Sequence, residues 1–147
     1  MEGQSSLNRM IVAVLALVGL LISLYLLTHS MGLMGQLVCG VGDCETVQSS
    51  QWSRVGPIPV PALGVAGYAA LLIIALRGLG ASGLEDRRIP LLLILGTGIG
   101  TAFSGYLTYL EAFVIHAWCQ WCVGSAILIT LAFFASVPEF GRLRANR

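Results

Sequence analysis

Four long apolar runs dominate this chain and decide what it can become: roughly residues 10–28, 60–79, 89–110 and 120–137. Each is close to the ~20 residues that a helix needs to cross ~30 Å of hydrocarbon, and none has an acidic residue or a lysine at its centre. Such runs in a chain that is 56% hydrophobic and only 10% charged are at odds with a soluble globular domain or a nucleic-acid-binding surface. They read as an all-α integral membrane protein, a bundle of four transmembrane helices with a long loop, about residues 29–59, between the first two. The first run follows Arg9 as a secretory signal follows its basic segment. Its apolar core nevertheless exceeds the roughly 7 to 15 residues of such signals and has no clear small-residue cleavage site, so it counts as helix one. Gly64 and Gly67 in the second run, and Gly96, Gly98, Gly100 and Gly105 in the third, suit close helix packing in lipid.

Orientation follows from the basic residues, which are eight arginines and no lysine. Arg77, Arg87 and Arg88 cluster at the second connection and Arg142, Arg144 and Arg147 fill the tail, whereas the first loop holds only Arg54. Short basic segments stay on the cytoplasmic side. Both termini are therefore expected inside, with the first loop and the short third connection, about residues 111–118, on the extracytoplasmic side. All four cysteines fall on that side, where disulfides persist.

The cysteines form two pairs: Cys39 and Cys44 in VCGVGDCETVQSS, and Cys119 and Cys122 in HAWCQWCVGS at the head of the fourth run. Two structural disulfides are the plain reading. For the second pair the loop closed is so small that the gain in chain entropy is slight. A CxxC opening a helix is better suited to switching, because free N–H groups and the positive end of the helix dipole stabilise a thiolate there. Two pairs could also supply four thiolates to a structural zinc ion, but zinc ribbons set their pairs on hairpins around a soluble core, so no metal is expected. CQWCV lacks the histidine that follows CxxC in a c-type haem site, and His116, which precedes the pair, reads as an interfacial residue.

In their order and spacing these residues resemble the vitamin K epoxide reductase (VKOR) family and its bacterial members that drive disulfide formation. The likeness runs from Cys39 to about Ser125 and takes in the loop pair, CETVQSSQWSRVGPIPVPALGVAGY and GYLTYLEAFVIHAWCQWC. It implies a single VKOR-like transmembrane domain over residues 1–147, with four helices surrounding a quinone of the ubiquinone or menaquinone (vitamin K) type. It further implies that Cys119 and Cys122 are the catalytic pair, with Cys122 nearer the ring, and that Cys39 and Cys44 are the shuttle pair. Ser50 matches a family serine downstream of the loop cysteines, and Tyr106 a family tyrosine on helix three. Four residues separate Cys39 from Cys44, a somewhat tighter spacing than the family's, which bears on the path of the loop. Bacterial members often carry a fused thioredoxin-like domain after the last helix. This chain ends at Arg147, so a separate extracytoplasmic thioredoxin-like CxxC protein is the expected partner, and the bacterial inner membrane the expected location.

The chemistry read from the residues agrees, since thiol–disulfide exchange needs an attacking thiolate, an accessible disulfide and a resolving thiol. A quinone also needs an apolar slot with a few polar groups. Ser50, Tyr106, Trp118 and Trp121 are the quinone-binding candidates, with Tyr109, Phe103 and Phe113 nearby, although an interfacial aromatic belt explains the tryptophans equally well. GPIPVPAL delivers the chain into helix two, turning at Gly56 and Pro57. ETVQSSQW is expected as a short surface helix with Val47 and Trp52 facing lipid or quinone. Asp43, Glu45 and Glu111 read first as solvated loop charges. Asp43 and Glu45 flank Cys44, and there they would raise its thiol pKa; Glu111 could instead deliver protons to a reduced quinone. The expected activity is thus a membrane thiol:quinone oxidoreductase. The alternatives are a vitamin K epoxide or quinone reductase of eukaryotic type, and a non-catalytic membrane scaffold with structural disulfides.

Overall fold

The structure, a computed structural model, describes residues 2–33 and 35–145. Arg147, counted above among the tail arginines, lies outside them. In chain order the helices are α1 (Glu2–Ser30), the short α2 (Cys44–Ser49), α3 (Val60–Arg77), the one-turn α4 (Ala81–Glu85), α5 (Arg88–Leu110) and α6 (Gln120–Ala145). Two tiny antiparallel strands, β1 (Arg54–Val55) and β2 (Ile58–Pro59), lie between α2 and α3. Among the described residues four helices are long and apolar enough to cross a membrane, as the four apolar runs predict.

The boundaries differ where apolarity stops being the deciding force. The first apolar run starts near residue 10, yet α1 begins at Glu2, and α6 continues beyond residue 137 through Pro138 to Ala145. Hydropathy marks the part of a helix that suits lipid, whereas the intrahelical hydrogen bonds continue into polar sequence. At the other end of the bundle α5 does not stop at Leu110. It runs on as a π-helical turn, Glu111–Ile115, so the expected third connection of residues 111–118 is mostly helical and the true link is short.

The proline-rich segment behaves as its chemistry requires. Gly56 takes φ 63°, which turns the chain between β1 and β2, and Pro59 caps α3 with Pro61 in the first turn, where a missing N–H costs nothing. Downstream, α1 packs against α3 and α6, and α5 packs against α6, around a core that includes Val12, Ala16, Leu71, Ala75, Leu93 and Ala132. α3 and α5 touch each other far less. The bundle is therefore open between these two helices.

Of the glycines expected to let helices approach, Gly64, Gly96 and Gly100 do so: a Cβ at each would run into Ser23, Leu71 or Ile129 respectively. Gly67 and Gly105 have open space instead, and Gly98 meets Phe133 at an ordinary contact distance. Gly67 thus makes room in the bundle and brings no helix closer.

At the arginine-rich end a single cation ties four segments. Arg9, 2% exposed, donates from Nε to Glu139 of α6 at 2.9 Å and from Nη1 to the carbonyls of Gly78 and Gly83, on either side of the α3–α4 link. Burying a guanidinium is tolerable here because every one of these partners is an acceptor, and Glu139, 3% exposed, balances its charge. Arg9→Ala should destabilise the purified protein by roughly 3–5 kcal/mol, because it leaves the Glu139 carboxylate buried without its partner. Denaturation in mixed micelles measures this, and the double variant Arg9→Ala/Glu139→Ala should recover part of the loss.

Candidate functional site

The site lies at the opposite end, where the chain must hold two cysteine pairs close together. Cys119 immediately precedes α6 and is fully buried, so its sulfur sits at the helix N-terminus, with the N–H groups of Trp121 and Cys122 directed at it. The Cys122 thiol hydrogen-bonds the same sulfur. That bond, more than the backbone N–H groups, stabilises the Cys119 thiolate against burial and against the nearby Glu111 charge. It lowers the thiol pKa to about 7. Cys119 and Cys122 are free thiols.

Cys39 and Cys44 form a disulfide, with Cys44 wholly buried and Cys39 half-buried. Their loop is strapped onto the bundle by side chains. Gln120 Oε1 accepts from the N–H groups of Gly40 (3.1 Å) and Val41 (3.0 Å), Trp121 Nε1 donates to the Val38 carbonyl (2.8 Å), and Tyr25 accepts from the Val38 N–H (2.9 Å). Gly42 pairs with Cys119 as an isolated bridge and takes φ 87°, while the Asp43 N–H donates to the Trp118 carbonyl at 2.6 Å. A Cβ at Gly42 would collide with that carbonyl, so only glycine lets the loop backbone lie on the start of α6. Cys44 and Cys119 share one buried cluster with Leu26, Leu37 and Val47.

The acidic residues flanking Cys44 are structural in this arrangement. Asp43 caps α2 and accepts from the Thr46 hydroxyl and N–H, bonds that hold its carboxyl below its ordinary pKa. Glu45 accepts the Leu37 N–H at 2.7 Å and pairs with His29 at 3.2 Å. Glu111 departs furthest from a solvated loop charge. It is 3% exposed, and its Oε2 accepts the Cys119 N–H at 3.2 Å.

Beneath this assembly a cavity of about 360 Å³ fills the opening between α3 and α5. Its walls are mainly apolar, and Gly64, Gly67, Gly96 and Gly100 line it where side chains would fill it. Polar groups reach it from Gln48, Ser104, Thr108, Glu111, Cys122 and Ser125. Spacings of four and three residues put Ser104, Thr108 and Glu111 on one face of α5. Leu63, Gly67 and Ile99 line the cavity yet are exposed, so it opens sideways where lipid would lie. Of the four cysteines, Cys122 is the one on its wall. Gln48, one helical turn beyond Cys44 on α2, donates to the Cys122 sulfur at 3.2 Å.

The expected quinone-binding residues fare unevenly. Ser50 ends α2, bonds the Val47 carbonyl and lines only a small adjoining space of about 30 Å³, together with Val47, Trp52 and Cys122. Tyr106 is 51% exposed and packs on Phe103 at the bundle surface, so it does not reach the cavity. Trp118 is likewise exposed, and Trp121 is taken up by Tyr25 and the Val38 carbonyl. Helix rotation accounts for the difference: Phe103, Ser104 and Leu107 face inward, which turns Tyr106 out. His116, which is exposed, adopts the left-handed conformation at φ 58° and reverses the chain between the π turn and Cys119. Sequence reasoning missed Gln48, Ser104, Thr108 and Ser125. Gln48 alone carried a signal, its i+4 spacing from Cys44.

Among the described residues, four membrane-length helices carry a disulfide loop strapped over a CxxC of buried Cys119 and half-buried Cys122, the layout of a thiol–disulfide site in an integral-membrane protein. Residues 10–137 match the family model described as Vitamin K epoxide reductase family, and the chain belongs to that family. Members are quinone-linked in general, and the lipid-facing apolar cavity beside Cys122 has the size, walls and polar groups that suit a quinone ring with a hydrocarbon tail.

The Cys119 thiol should ionise near pH 7 in the reduced protein. Ultraviolet thiolate absorbance against pH should show this step, and Cys119→Ser should remove it. Cys122→Ala should move it upward by deleting the donor that stabilises the thiolate.

Proposed function

We propose that the protein is a membrane thiol:quinone oxidoreductase that withdraws electrons from an extracytoplasmic thioredoxin-like CxxC protein, a separate chain, and delivers them to a quinone. One observation carries this reading: Cys122 lies on the wall of the lipid-facing cavity, while Cys119 behind it shares a buried cluster with Cys44 of the loop disulfide. The four cysteines then form a path from the loop surface to the cavity. In this reading residues 1–147 act as one domain, the cysteines face the periplasm of a bacterial inner membrane, and the arginine-rich end faces the cytoplasm.

Exposure supports one order of events. Cys39 is the half-buried sulfur of the loop disulfide, so an incoming thiolate attacks there and Cys44 is released beside Cys119. Val38 and Val41, both more than 70% exposed, present apolar surface beside Cys39 for the partner. The electrons then pass from Cys44 to the Cys119/Cys122 pair. Re-forming the Cys119–Cys122 disulfide yields two electrons and two protons. A quinone, when bound, supplies the two-electron acceptor. Cys122, steadied by Gln48, is the thiol that faces it, and Cys119 is the thiol that closes the disulfide.

Purified protein given a reduced CxxC protein and a soluble quinone tests each step. Cys122→Ser should abolish quinone reduction, and full retention would overturn the mechanism. Cys39→Ser should lose oxidation of the CxxC protein while a small dithiol still drives quinone reduction. Gly67→Leu adds a side chain at the cavity wall, where a Cβ meets no atom within 4 Å, so the KM for quinone should rise about tenfold, the equivalent of ~1.4 kcal/mol of binding. The Cys119 titration should be unchanged in that variant.

A further inference from the structure

Oxidising two thiols with a quinone moves two protons as well as two electrons, and the Cys119/Cys122 pair is buried or half-buried away from bulk water. The protons need a carrier. Among the described residues that line the main cavity, the titratable side chains are Cys122, Tyr68 and Glu111. The Tyr68 hydroxyl is engaged by the Ser125 carbonyl and hydroxyl at 2.8 Å. Glu111 touches both ends of the reaction. Its Oε2 holds the Cys119 N–H, and its side chain lines both the main cavity and the small space beside Ser50 and Cys122.

Local backbone structure places it there. Glu111 opens the π-helical turn, a geometry that inserts an extra residue per turn and often marks functional positions. Its own carbonyl accepts from the N–H groups of His116 and Ala117 as the chain reverses, which fixes the carboxylate against the CxxC backbone. A buried carboxylate that serves only to cap one N–H is an expensive choice, since a neutral acceptor satisfies the same donor without desolvating a charge.

We propose that Glu111 is the proton carrier of the thiol:quinone reaction, taking the proton from Cys119 as the disulfide closes and passing it to the cavity, where a bound acceptor would take it up. The inference rests on the quinone-reductase reading. The balance is complete: Cys119 and Cys122 lose two hydrogens as the S–S bond forms, and the quinone gains two electrons and two protons to become the hydroquinone. Glu111 first takes the Cys119 thiol's own proton and passes it to the cavity side. The Cys122 proton then moves along its hydrogen bond to the Cys119 sulfur, which leaves the Cys122 thiolate facing the cavity, and follows the same route through Glu111 as the S–S bond closes. Among the described residues, the charged and titratable groups facing the Glu111 carboxyl are the thiols of Cys119, just before α6, and of Cys122, on α6; Gln48 approaches from α2 as a neutral donor, and Thr108 precedes Glu111 on its own helix.

Glu111→Gln keeps an oxygen to accept the Cys119 N–H but cannot carry a proton, whereas Glu111→Asp keeps a carboxylate. Quinone reduction by the pre-reduced protein is followed in a single turnover across pH, and Cys119 ionisation is followed by thiolate absorbance in quinone-free protein. In E111Q the turnover should fall on the order of 100-fold and become faster with rising pH, as water and hydroxide replace the carboxylate. The same variant should form the Cys119 thiolate at lower pH than wild type, because a neighbouring negative charge is gone. A more readily ionised thiol in a slower enzyme is the signature of a lost proton carrier, and a merely distorted site does not produce it. Glu111→Asp should recover a substantial part of the rate. Wild-type turnover in E111Q overturns the proposal, as does a loss in which E111D is no better than E111Q. Failure of the wild-type protein to reduce quinone at all would instead remove the reading beneath it.

Discussion

Hydrocarbon offers no hydrogen-bond partner, so every backbone polar group that crosses the membrane must be satisfied within its own helix. That constraint turns the four apolar stretches into α1, α3, α5 and α6 and pushes irregular backbone to the bundle ends. Where regular helix breaks down at the cysteine end, specific atoms take over. The Glu111 carbonyl receives the His116 and Ala117 N–H groups, its carboxylate receives the Cys119 N–H, and the Trp118 carbonyl receives the Asp43 N–H. The same hydrogen bonds that spare the backbone from orphaned donors thus bring two cysteine pairs into one place.

Both ends of the bundle hold buried charge in different ways. Arg9 and Glu139 neutralise one another and close the arginine-rich end around α1, α6 and the α3–α4 link. Among the described residues Glu111 has no cation paired with it; its carboxylate accepts the Cys119 backbone N–H and its neighbours are thiols. A matched pair is a lock, while a carboxylate among thiols is free to change its protonation. Between the two ends, the sparse contact of α3 with α5 and the glycines that line the gap leave a lipid-facing cavity without unsealing the rest of the core.

Much of this was legible in the sequence because the signals were long or chemically singular. The apolar runs specified four helices, the cysteine spacings marked two pairs, and the ordered motifs from Cys39 to Ser125 pointed to the family that residues 10–137 match. The cavity lining was read less well. Tyr106, Trp118 and Trp121 are aromatic and near the right end, but aromatic character does not reveal helix rotation, and the structure turns them to the surface or to the loop. Glu111 was read first as loop charge because hydropathy ends at Leu110, and no sequence rule announces that α5 continues in π geometry.

The sequence alone therefore determined that the chain crosses a membrane four times and carries paired cysteines at one end of the bundle, since both follow from composition along the chain. Only the tertiary structure decided which cysteine meets the cavity, which carboxylate reaches the CxxC backbone, and where α3 and α5 part. Those outcomes depend on rotation about helix axes and on one irregular turn, where a shift of a single residue redirects a side chain by about 100°.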